Sequence, residues 1–313
     1  IILMTDDKDI QTPQPKSTVE EVYTQILKDI NEAIDLGGLP DVAVNKMRFN
    51  KPAAYAVKAL TLLNMQKWDE AEEAAQQALA INGVVNNYNT SYLGTTQGYL
   101  ISGTYTVINR EKKGTDEDYF CNGKSDFCNC YTPTTMANFE DGHAYKDKMS
   151  NFNMMYDYLM DAGESMLGES GFNITYDLNS YWNDGGLRST QMYLTIAECE
   201  THKGNYDTAM EYLDRVRVNR IAPAKYQPLK GTVNTKEDAI AHVKQVTLNE
   251  DIYTTNIFID KKRWNQLDGW KQDYSRTLAG KTYTIKPDSK MWVFPFPMSV
   301  MNNNDKITQN YNE

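Results

Sequence analysis

No run of apolar residues in this chain of 313 approaches the roughly 20 needed to cross a bilayer as a helix. Histidine is scarce, at three. The four cysteines lack the closely paired spacing and matching ligands of zinc sites. Cys121, Cys128 and Cys130 cluster, which leaves open a metal site, a local disulfide or free thiols. Positive charge is also short, with 32 Lys and Arg against 42 Asp and Glu, a net charge of -10 and a pI of about 5.0. An acidic chain without a basic stripe is a poor partner for nucleic acid or anionic lipid. Neither an initiator Met nor a signal peptide stands at Ile1, so the chain reads as a processed product or a fragment.

What is present is helical periodicity. Leu187 to Arg220 places Met192, Ile196, Ala197 and Cys199 on one helical side, breaks at Gly204 and Asn205, and resumes with Tyr206, Ala209, Met210, Leu213 and Val216. The spacing predicts two amphipathic helices joined by a tight turn, with Gly204 ending the first. Ala197 and Ala209 fall where antiparallel helices approach closely. Tyr193, Ala197, Gly204, Tyr206 and Ala209 resemble the tetratricopeptide pattern.

Lys51 to Ile81 predicts a second hairpin with Tyr55, Ala59, Trp68, Ala71 and Ala78 at the repeat positions. Gln66 replaces the turn glycine. The two hairpins lie 138 positions apart, Tyr55 against Tyr193, so they form a split repeat around a large insertion. Before them, Thr18 begins a helix whose buried stripe is Val19, Val22, Tyr23, Ile26, Ile30 and Ile34. Lys236 to about Thr254 predicts another helix. Beyond it, Arg263, Trp264 and Trp270 cluster, and MWVFPFPMSVMNNNDKITQNYNE offers a short apolar strand and a polar tail.

The expected fold is mostly α: tetratricopeptide-like helical hairpins with a long, loop-rich, partly β insert. Residues 1–81 form the first part of the scaffold, 82–186 the insert and 187–313 the second hairpin with the C-terminal region, all in one composite domain. The insert has short β-branched and aromatic runs, and Met149 to Met166 reads as one helix within it. Eleven of the 21 tyrosines lie between Val84 and Trp182. Tyrosine offers a flat apolar face and a hydroxyl at low rotamer cost, which suits a binding surface. Tyr88, Tyr92, Tyr119, Tyr181 and Trp182 fall in Asn- and Asp-rich loops and are the candidate ligand contacts. Tyr156 and Tyr158 sit in an apolar helical pattern and read as core. The TDEDY stretch and Asp141 to His143 read as solvated loop acids rather than a catalytic pair. Arg188 and Arg263 read as partners of buried acids or carbonyls. No enzyme activity, cofactor or metal is expected.

Four blocks in order resemble the SusD/RagB family of outer-membrane nutrient-binding lipoproteins. They are VEEVYTQILKDINEAI, FNKPAAYAVKALTLLNMQKWDEAEEAAQQAL, LRSTQMYLTIAECETHKGNYDTAMEYLDRVRVNR, and the C-terminal set VKQVTLNE, KRWNQL and VFPFPMSVMNNNDKITQNY. Two positions depart from the family pattern: Gln191 stands for a Glu, and Glu250-Asp251 for a Glu-Arg pair. The family's lipid-bearing Cys and first helices are missing, so the chain is expected to begin after them. The resemblance implies a cell-surface lipoprotein that captures glycan and passes it to a TonB-dependent SusC-like transporter. Some relatives bind peptides, so oligopeptide capture stays open, as does a helical protein-interaction scaffold.

Overall fold

A computed structural model describes residues 2–4, 12–90, 115–121, 135, 137–147, 186–252, 254–278 and 280–310, with the strands 93–97, 104–108, 129–131 and 173–175. Helix α1, Val19–Asp35, is opened by a capping box: the Thr18 hydroxyl accepts from the Glu21 N–H at 3.1 Å, and the Glu21 carboxylate accepts from the Thr18 N–H at 2.8 Å. The first hairpin is α2, Lys51–Asn64, and α3, Trp68–Ile81. Asn50 caps α2 through the Ala53 N–H at 2.9 Å, and Pro52 sits in the first turn, where no N–H is needed. Gln66 holds φ 60, the left-handed conformation that the turn demands.

The insertion contributes β1, Leu93–Gln97, paired antiparallel to β2, Thr104–Ile108. β3, Asp118–Phe120, returns to the frame and pairs with β6, Leu187–Arg188. β4, Asn129–Tyr131, pairs with β5, Asn173–Thr175, and α4, Ala144–Asp147, is a single turn. The helix expected over Met149 to Met166 lies outside the described residues.

The second hairpin is α5, Ser189–Lys203, and α6, Tyr206–Arg217, joined at Gly204 with φ 84. Then follow α7, Lys236–Glu250, and α8, Asn256–Trp264. A β-hairpin, β7 Tyr274–Leu278 and β8 Lys281–Ile285, stands where the sequence suggested none. The apolar strand expected near the C-terminus is instead a 3₁₀ turn, Lys290–Trp292, and the short helix α9, Met298–Asn303. Pro295 and Pro297 lack N–H donors and so cannot serve a ladder there.

α5 is the centre of the frame. It packs against α2, α3, α6 and α7, and every residue from Ser189 to Thr201 is buried. On one side, alanines of α2 and α3 meet Met192, Ile196 and Cys199. On the other, Ala197 meets Ala209, Met210 and Leu213 of α6, Val243 and Val246 of α7, and Trp264 and Trp270. Ala197 and Ala209 are fully buried, as close helix approach requires. α1 is the exception to the expected stripe: Val19 is 71% exposed and Ile30 alone is buried, because α1 rests on α2 along one side. No helix among the described residues is long and apolar enough to cross a membrane.

Candidate functional site

Two of the five candidate ligand aromatics are not surface rings. Tyr88 and Tyr119 are buried, and Tyr92, Tyr181 and Trp182 lie outside the described residues. The Tyr119 hydroxyl donates to the Asn82 carbonyl at 2.5 Å, its ring joins the alanine-rich core, and burial pushes its phenol up. The Tyr88 N–H donates to the Asn219 carbonyl at 2.9 Å. Its hydroxyl donates to Glu117 at 3.1 Å, and its ring lies 3.7 Å from the Arg220 guanidinium. The Asn- and Asp-rich flanks that suggested exposure supply partners for buried polar groups instead.

Arg220 is the centre of that knot. It donates to Glu250 at 2.6 and 3.0 Å, to Glu117 at 3.0 Å and to the Asn86 carbonyl at 2.5 Å. Glu117 also accepts from the Asn86 N–H at 3.1 Å. The knot therefore joins the end of α6, the end of α7, the segment before β1 and the segment before β3. A bidentate Arg–carboxylate pair with added hydrogen bonds is how a charge survives burial. Arg188 repeats the device, donating to Asp251 at 2.8 Å and to the Glu250 carbonyl at 2.9 Å. Asp251 stands where the family pattern has Arg, and it is the carboxylate that Arg188 meets. Gln191, the other departure, accepts from the Arg188 N–H at 3.0 Å.

Of the loop acids expected to be solvated, Asp116 and Asp141 are exposed, but Glu117 and Asp118 are buried. Glu117 is committed to Arg220, and Asp118 accepts from the Thr115 N–H and hydroxyl at 2.6 and 2.9 Å. His143 is buried against Phe139; burial, then Arg220 and Arg217, hold it neutral with a pKa lowered to about 3.

A cavity of about 120 Å³ opens between α2, α5, α7 and α8. Leu60, Leu63, Leu194 and Ile259 line it together with Glu198, Asp251, Asp260 and Arg263. Arg263 donates to Glu198 at 3.1 and 2.7 Å and to Asp260 at 2.6 Å, and the Trp264 indole donates to Glu198 at 3.0 Å. Burial raises Glu198, but Arg263 and the hydrogen bonds outweigh it and hold the pKa at about 2. Asp260 goes the other way, to about 7, because burial and the nearby Asp251 and Glu198 outweigh its single Arg263 contact.

These carboxylates are partners of arginine rather than free acids. No cluster among the described residues could hold a metal ion. Cys121 and Cys199 are buried, and Cys128 lies outside the described residues. Sequence reasoning named Arg188 and Arg263 but missed Arg220, Glu117 and Glu250. Each lies at the end of a helix or in a polar loop, where charges are ordinarily solvated.

The architecture is a helical-repeat frame with an insertion fastened to it through buried arginines. A family model described as the SusD family matches residues 183–312, and one described as starch-binding associating with outer membrane matches residues 2–63. SusD-type family models thus match both ends of the chain, and its fold is the SusD-like fold. A SusD superfamily protein from Bacteroides thetaiotaomicron VPI-5482 superposes with a TM-score of 0.68 at 15% identity, covering 100% of this chain and 71% of that one. A SusD-like carbohydrate binding protein from Bacteroides vulgatus ATCC 8482 gives 0.64 at 16% identity, over 100% and 71%. A SusD superfamily protein from the same organism gives 0.65 at 19% identity, over 99% and 72%. No curated protein matches the chain.

Proposed function

We propose that this chain is a non-catalytic glycan-binding protein of the outer-membrane surface, which captures oligosaccharide and hands it to a TonB-dependent SusC-like transporter. The family matches carry the reading: a SusD family model matches one end of the chain and a model of starch-binding, outer-membrane-associating proteins the other. The similar protein from Bacteroides vulgatus is described as carbohydrate binding, which supports a glycan ligand here. In this reading residues 1–81 and 187–313 are the frame, and 82–186 carries the ligand contacts. With Tyr88 and Tyr119 assigned to the core, Tyr92, Tyr181 and Trp182 remain the proposed contacts. A sugar ring lays its C–H face on an aromatic ring while its hydroxyls bond to polar neighbours.

A glycan array paired with a peptide library tests the ligand class. Glycan binding is expected; binding to peptides alone overturns the reading in favour of oligopeptide capture. Trp182→Ala is expected to weaken glycan binding about tenfold, a loss of roughly 1.4 kcal/mol, with far-ultraviolet dichroism unchanged. If Tyr92, Tyr181 and Trp182 can each be replaced without loss, the contacts lie elsewhere.

A further inference from the structure

Several exposed or half-buried cations on this acidic chain have acid partners. Lys51 meets Asp41, Arg215 and Lys230 meet Glu211, Lys225 meets Asp141 and Lys271 meets Asp268. The β7–β8 hairpin and the turn after it instead gather several cations without such partners. Between Tyr274 and Trp292, Arg276, Lys281, Lys286 and Lys290 stand against one acid, Asp288. All four cations are exposed, and among the described residues none forms an ion pair. Lys261 adds a fifth, held 4.6 Å above the Tyr274 ring, with burial lowering its pKa. The overall charge of -10 hides this patch.

Rings share the same surface. Trp292 is the buried hub: its indole donates to the Lys286 carbonyl at 2.8 Å, and its ring meets Tyr274 at 5.8 Å and Phe258 at 5.5 Å. Phe258 in turn stacks on Phe294 at 5.0 Å, and Phe294 is 71% exposed. In the hairpin register Arg276 lies opposite Tyr283 and Tyr274 opposite Ile285, so Tyr274, Arg276 and Tyr283 share one face. Tyr283 is 50% exposed, with Lys281 at 5.1 Å from its ring. The opposite face carries paired hydroxyls, Ser275 with Thr284 at 2.7 Å and Thr277 with Thr282 at 3.0 Å.

We propose that this hairpin and the adjoining rings form a second glycan-binding surface, one that selects acidic sugars. It rests on the glycan-binding reading above and is independent of which insert residues bind. Uncompensated cations attract an anion, and the planar fork of Arg276 fits a carboxylate or a sulfate. Exposed ring faces suit the apolar C–H face of a sugar, which a bare phosphate would not use. Exposed Met291 and Met298, at 60% and 68%, make anionic phospholipid the competing occupant.

The test uses the whole chain with polygalacturonate and heparin as acidic probes, amylose as a neutral probe, and phosphatidylglycerol vesicles. At least one acidic polymer is expected to retard the chain in affinity electrophoresis, with the effect falling as sodium chloride screens the charges. The triple variant Arg276→Ala, Lys281→Ala, Lys286→Ala is expected to bind that polymer at least about tenfold more weakly. Phe294→Ala, which leaves the cations in place, is expected to weaken it as well. Failure with both acidic polymers overturns the proposal, as does undiminished binding by the triple variant. Binding of vesicles without either polymer assigns the surface to lipid and also overturns it. A chain that binds neutral glycans on the array but neither acidic polymer sinks this surface and leaves the proposed function standing. A chain that binds no glycan at all removes both.

Discussion

Glu198 and Asp260 share Arg263 yet titrate in opposite directions, and this makes Asp260 testable. Its pKa is about 7 in the folded chain against an ordinary 3.8. Between those values the folded chain keeps a proton that the unfolded chain has released. The stabilisation from this group is therefore complete below about pH 3.8 and lost as pH rises through 7. Asp260→Asn mimics the protonated form, so its melting temperature relative to the wild type should climb across that window. His143 acts with the opposite sign, costing stability as pH falls from 6.5 to about 3, but it is common to both proteins and cancels in the difference. A difference that stays flat with pH would show that Asp260 titrates as an ordinary carboxylate. At the other knot, Arg220→Ala strands Glu117 and Glu250 in the interior and should cost about 3–5 kcal/mol in urea unfolding. Tyr88→Phe removes one hydrogen bond to a carboxylate and should cost about 1.5–3 kcal/mol. An unchanged midpoint in both would mean that the knot is open in solution. This layer was poorly legible in the sequence. A charged side chain in a polar loop reads the same whether water or a buried partner satisfies it.

Among the elements, the two hairpins were legible because three- and four-residue spacing survives in α2, α3 and α6. α5 was only half legible. It is buried all round, so Glu198, Thr195 and Gln191 interrupt any apolar stripe, although all three are interior. β7–β8 went unread although YSRTLAGKTYTI alternates about Gly280, which takes φ 74 in the turn. The turns of the two hairpins give predictions of opposite sign. Gln66 is forced into φ 60, so Gln66→Gly should stabilise by roughly 0.5–1 kcal/mol. Gly204 holds φ 84 with open space where a Cβ would go, so Gly204→Ala should lose about 1 kcal/mol through the backbone alone. Ala209→Leu should overpack the contact with α5 and cost about 1–3 kcal/mol. Thermal denaturation of the three variants checks all of these, and an unaltered melting temperature for Ala209→Leu would remove the close helix approach.

Across the whole molecule, the chain leaves the frame and comes back to nearly the same place. The Gly83 carbonyl accepts from the Tyr193 hydroxyl at 2.8 Å, and the Val84 carbonyl accepts from the Ser189 hydroxyl. Departure and return are thus stitched to the first two turns of one helix, α5. Such adjacency is the geometry of an interchangeable graft: a different segment could be transplanted between the same two stitches without lengthening any path through the frame. The transplant is not unconditional. The frame presents Arg220 as a lock, and a donor segment must bring a carboxylate in the place of Glu117 and an aromatic hydroxyl in the place of Tyr88. A donor lacking them leaves part of a buried charge unanswered. The frame therefore proofreads the root of whatever it carries.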